Sequence, residues 1–110
     1  EKGEAKTKAV EKTKDFAVSG EVIDLKCYMD GDAHGAGHKQ CAITCVKEGA
    51  PMALLDAKGN VYIAVMGKAH HGEKNPLADK IAETVAATGT LVKKGGVQVL
   101  LVASVGAPAK

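Results

Sequence analysis

Arginine and tryptophan are both missing from this 110-residue chain, and all 15 of its basic residues are lysine. Without arginine there is no planar fork for bidentate recognition of bases or phosphates. Only Phe16, Tyr28 and Tyr62 are aromatic, so the successive bases of a single strand would find few stacking platforms. A formal net charge of +2 supplies no strong field for a polyanion. Together these shortages argue against nucleic acid as a partner. No apolar run approaches the ~20 residues of a spanning helix, so no membrane span is expected. Three cysteines make an odd number, which excludes a complete disulfide framework but leaves room for one disulfide and a free thiol.

The length suits one domain, and 45% apolar residues with 13 glycines describe a globular chain rich in turns. Residues 1–15 read as a flexible tail. Its first 14 residues carry five lysines and three glutamates and have the composition of a spacer behind an export signal, which sets the expectation of a periplasmic or otherwise exported protein. A solvated turn reads equally well there. From Phe16 to Tyr28 the apolar residues alternate, with a change of phase around Gly20 that suggests a strand bent at a glycine. That strand places Cys27 on the face of Ile23 and Leu25. A glycine-rich loop follows, then a helix from about 38 to 48 that stops at Gly49 and Pro51.

Beyond it, Met52–Leu55 and Val61–Val65 read as a hairpin turned at Lys58-Gly59-Asn60. Asn75-Pro76 has the form of a helix start, and Leu77, Ile81 and Val85 form a stripe at four-residue spacing, predicting a helix of about three turns. Thr88–Lys93 and Val97–Val105 form a second hairpin across Lys94-Gly95-Gly96, and residues 106–110 are a tail.

The expected class is therefore mainly β: a five-stranded barrel over residues 16–105, with one helix between strands 3 and 4 and, after strand 1, a Cys/His insertion, residues 28–50, that carries the helix. This order resembles the OB-fold, a Greek-key barrel. The closing stretch from Ala87 to Val102 looks like the last two strands of small exported bacterial OB-fold proteins. The layout Gly20-Glu-Val-Ile-Asp24-Leu-Lys-Cys27 followed by Cys41-x3-Cys45 is similar to that of further small bacterial proteins, a resemblance that implies no activity.

All three cysteines and two of the four histidines fall within residues 27–45. His34, His38, Cys41 and Cys45 are spaced four, three and four apart, which at about 100° per residue puts them on one helical face. Gly35 and Gly37 oppose helix so early, so His38, Cys41 and Cys45 are the dependable members, with Cys27 arriving from the neighbouring strand. Three thiols and an imidazole form a Cys3His ligand set for a soft or borderline metal. Cysteines on an inward face can also be small buried hydrophobes, but three of them beside His38 favour Cys27, His38, Cys41 and Cys45 as ligands. His34, Met52, His70 and His71 are further residues that could join, and Asp24 could orient a ligand.

Zinc fits a closed Cys3His set and copper fits thiolate with imidazole; iron ranks below both, because the spacing matches no ferredoxin pattern. Cys41, Cys45 and Met52 partly resemble the binuclear copper loop of cytochrome oxidase subunit II, with Gly49 where that loop has histidine. The expected function is a small metal-binding protein, a cell-envelope metal carrier or one-electron carrier serving a redox or metal-transfer partner. An OB binding module whose cysteines form a zinc staple or one disulfide is the alternative. A thiol enzyme ranks last, since there is no Cys-x2-Cys and no nucleophile elbow.

Overall fold

The computed structural model describes residues 10–66 and 76–107. Five strands close a barrel: β1 Glu11–Asp24, β2 Met52–Leu55, β3 Val61–Met66, β4 Thr84–Lys94 and β5 Val97–Gly106. Around the barrel the order is β1-β2-β3-β5-β4, with β4 returning to β1. All neighbours are antiparallel except β3 and β5, which run parallel with Ile63 opposite Val99. The mainly β, OB-like barrel expected from the sequence is the architecture found.

The barrel closes because β1 serves two partners. Its residues 11–21 pair with β4, and residues 21–24 pair with β2. The change of partner falls at Gly20 and Glu21. A Cβ at Gly20 would stand 2.9 Å from the Leu55 carbonyl oxygen, so the corner is tight enough to require glycine. A second corner lies on the neighbouring strand β4, where the β4–β5 register shifts between Thr88 and Gly89 and a Cβ at Gly89 would overlap the Leu101 carbonyl. Inside, Val18, Val22, Leu54, Tyr62, Ala64, Val85, Ala87, Leu91, Leu100 and Val102 form one buried cluster. β4 shows the underlying pattern, with Val85, Ala87, Gly89 and Leu91 buried at alternate positions.

Three local expectations are corrected. Strand 1 stops at Asp24 rather than continuing to Tyr28, and Leu25–Gly31 is a seven-residue helix, α1, so Cys27 is helical. The alternation of Ile23, Leu25 and Cys27 loses to the side chain of Asp24, which caps the new helix. Strand 1 also begins earlier than the expected tail allows, with Glu11, Lys12 and Thr13 paired to Lys93, Val92 and Leu91. Those residues are polar and exposed, so no apolar alternation marks them.

The third correction concerns the helix before β4. Its described part is a single 3-10 turn, Pro76–Asp79, while Val85 belongs to β4. Leu77, Ile81 and Val85 are all buried, yet the backbone of Ala82 and Glu83 hydrogen-bonds to Val22 of β1 instead of continuing a helix. Asn75, the expected cap, and His70 and His71 lie outside the described residues.

The insertion between β1 and β2 holds α1, a 3-10 turn at Ala36–His38 and a second helix, α2, Lys39–Lys47. Gly49, with φ of 109°, ends α2 as expected. The neck is closed by Leu25 N–H donating to the Pro51 carbonyl, next to the paired Asp24 and Met52. Ala42 is buried and Ile43 and Val46 pack on the barrel core. Met52 is part of that core too.

Candidate metal centre

Asp24 is where barrel and insertion meet. It is the last residue of β1 and only 1% exposed. Its φ and ψ remain extended, and Oδ1 accepts the Cys27 backbone N–H at 3.1 Å, the ordinary work of an N-cap carboxylate. That bond turns the chain into α1 and carries the Cys27 side chain back over the carboxylate. The other oxygen, Oδ2, has no hydrogen-bond partner among the described residues.

Facing Oδ2 at 3.6 Å is Nε2 of His38, which is likewise buried and unpartnered. His38 closes the 3-10 turn at the N-cap position of α2. The turn is located by a clasp to β1: Glu21 accepts the Gly35 backbone N–H, and the His34 ring donates from Nδ1 to Glu21 at 2.9 Å. One ligand atom each from Asp24, Cys27 and His38 lie within 4.8 Å of one another. From α2, Cys45 brings its Sγ to 3.8 Å from the Cys27 Sγ.

Two sulfurs at ~2.3 Å from a common ion, a tetrahedral angle apart, stand ~3.8 Å from each other; a nitrogen and an oxygen at ~2.1 Å stand ~3.4 Å apart. Both separations in the cluster are close to these values. A disulfide needs ~2.05 Å between its sulfurs, and all three cysteines are free.

The electrostatics centre on one buried carboxylate with thiols and an imidazole set against it. Burial pushes the Asp24 carboxyl up, but the thiol and backbone N–H of Cys27, then Cys45 and His38, stabilise its charge and hold it below the usual carboxylate range. The cost passes to Cys27. Its contact with Asp24, followed by burial and the neighbouring Cys45, pushes the thiol up to about 12. This is opposite to what a cysteine nucleophile requires. The carboxylate also stands against both the thiol and the imidazole, rather than behind a histidine that could take the thiol proton.

Of the residues expected from the sequence, the fold groups Cys27 and His38 with Asp24 and sets Cys45 beside Cys27, outside that group of three. Cys41 is exposed on α2 and is likewise outside the group. His34 is engaged with Glu21 and stacks edge-on to Tyr28. Asp24, expected at most to orient a ligand, lies at the centre. The signal that could have found it was the Asp-x2-Cys spacing, which is an N-cap pattern as well as a pairing of two donors.

Compared with protein-family models, curated proteins and solved structures, the chain matches none.

Proposed function

We propose that this is a small metal-binding protein whose ion is held by Asp24, Cys27, His38 and Cys45. The observation that carries the reading is the pair of buried, unpartnered atoms, Asp24 Oδ2 and His38 Nε2, which face each other beside two thiols. Leaving a buried polar atom without a partner costs ~1–3 kcal/mol, so two in one place call for a shared occupant. A divalent cation satisfies both. It also removes the reason for the high Cys27 pKa, because a coordinating thiol gives up its proton.

Between copper and zinc, the donor set favours zinc. Two thiolates, an imidazole and a carboxylate are all zinc ligands, whereas cuprous copper selects sulfur and leaves a carboxylate oxygen poorly matched. Zinc has no redox chemistry, so the role we favour is carrying or sensing the metal rather than passing electrons, in the cell envelope. Subcellular fractionation of cells making the natural gene product tests the location. Protein in the cytosolic fraction would count against it.

Cobalt titration of the reduced chain tests the site. One equivalent should give the intense visible bands of tetrahedral cobalt, with thiolate charge transfer, and zinc should displace it. Asp24→Asn and Cys41→Ser distinguish the two candidates for the fourth ligand: the first should abolish the tetrahedral spectrum and the second preserve it. The absence of any cobalt or zinc binding would sink the reading.

A further inference from the structure

The sulfurs of Cys27 and Cys45 belong to different helices, and no bond joins them. At 3.8 Å they are ~1.8 Å farther apart than a disulfide allows. No apolar packing has to be broken for that movement, because α1 has no buried residue. What it works against are the Asp24 cap and the Tyr28–His34 contact. Both cysteines are half-buried, so a small reagent can reach them.

We infer that Cys27 and Cys45 form a redox latch on the metal site: their oxidation to a disulfide expels the ion, and reduction readmits it. The inference rests on the metal reading above and adds a means of release to it. The oxidant class is a low-molecular-weight disulfide. One thiolate attacks the reagent's sulfur–sulfur bond, forming a mixed disulfide and expelling one reagent thiolate. The other thiolate then attacks the protein sulfur of that mixed disulfide, closing the bond between Cys27 and Cys45 and expelling the second reagent thiolate. Both leaving thiolates take their protons from water. The reagent takes up two electrons and two protons and leaves as two thiols, and the divalent ion departs with its charge unchanged. Neither disulfide sulfur keeps a thiolate charge. The four donors fall to Asp24 and His38, two ligands that do not retain zinc against competition.

The third cysteine is poorly placed to compete. Cys41 and Cys45 are four apart on α2, so their β-carbons stand ~5–6 Å apart. A disulfide wants ~3.8 Å between β-carbons, so a bond within the helix would have to distort it.

The test uses the reduced full chain loaded with zinc alone and then exposed to oxidised glutathione. A chromogenic chelator reads the released metal, and peptide mapping identifies the disulfide. One zinc should be released per Cys27–Cys45 disulfide formed, dithiothreitol should restore binding, and Cys41→Ser should respond as the parent does. Zinc retained alongside that disulfide, a disulfide mapped to Cys41, or thiols left reduced by excess oxidant would each overturn the latch while leaving the metal site standing. A reduced chain that takes up no zinc, visible before oxidant is added, overturns the metal reading and the latch with it.

Discussion

The barrel and its insertion are held together by different means. The barrel strands share one apolar interior, with Leu54 and Leu100 fully buried and Leu77 and Ile81 packed among them. The insertion has two short helices, of which α1 buries nothing and α2 buries only Ala42. Isolated helices of seven and nine residues are far below the length that persists in water. The barrel can therefore fold on hydrophobic burial alone, whereas the insertion adds only Ala42, Ile43 and Val46 to that packing and leans also on the polar cluster at its base. On the proposed function, a weakly packed segment tied down by donors is suited to respond to an ion, because binding would order it.

The sharpest way to break this contrast is to damage the barrel. Leu54→Ala, at a site with no exposed surface, should cost about 2–5 kcal/mol by transfer and cavity terms together. Metal binding should weaken in parallel, since Asp24 stands on β1 directly beside β2. Chemical denaturation followed by circular dichroism measures the first effect and cobalt absorption the second. Loss of binding with an unaltered unfolding midpoint would show that the barrel is not the foundation of the site.

The converse variant is Cys27→Ser. It should lower zinc affinity by more than about 100-fold, beyond the usual effect of altering a residue that only orients a ligand. The zinc-free barrel should unfold at nearly the parent midpoint. Hydrogen exchange should show zinc protecting residues 25–51 in the parent but not in the variant, with the strands unchanged in both. If zinc protected barrel and insertion alike, the two would form a single cooperative unit and the contrast would fail.

The alkaline limb of the stability curve gives a smaller effect. The fold raises the Cys27 pKa from 9.0 to about 12, so the folded zinc-free chain holds a proton that the unfolded chain releases. The resulting stabilisation is complete below pH 9 and is lost as pH rises toward 12. Zinc-free protein should lose stability across that window more steeply than Cys27→Ser. Zinc binding near neutral pH should release at least one proton per ion, measurable by calorimetry in buffers of different ionisation enthalpy. Equal alkaline slopes for parent and variant would remove Cys27 as the cause.

The two regions also differ in how much the sequence shows of them. The hairpin of Met52–Leu55 and Val61–Met66 and the corner at Gly20 are written in apolar runs, turn residues and a glycine, so the barrel is readable. The cluster is only partly so. His38, Cys41 and Cys45 share a helical face, but which of them points inward depends on how α2 rolls against the core, and Ala42, Ile43 and Val46 settle that roll. Cys41 is left outside as a result. Asp24 is masked because a buried carboxylate at a strand end looks like an ordinary helix cap until its second oxygen is found unpaired. The stripe from Leu77 to Val85 shows the opposite failure: the spacing is real and the residues are buried, but strand pairing by Val22 overrides the helix.

The smallest expected effect comes from the clasp that joins the two regions. Glu21 lies on β1, and its carboxylate accepts from Gly35 N–H and from the ring of His34. The His34 side chain is 44% exposed, so solvent screens that pair and the backbone bond is the stronger holder. Glu21→Gln keeps one acceptor oxygen and removes the charge, which should cost no more than about 1 kcal/mol. The amide of Gly35 should exchange faster, while zinc affinity should change only a few-fold because none of the four donors is altered. A loss of affinity as large as that of Asp24→Asn would mean that the clasp fixes His38 in its ligating position. The boundary of the metal site would then move onto the barrel wall itself.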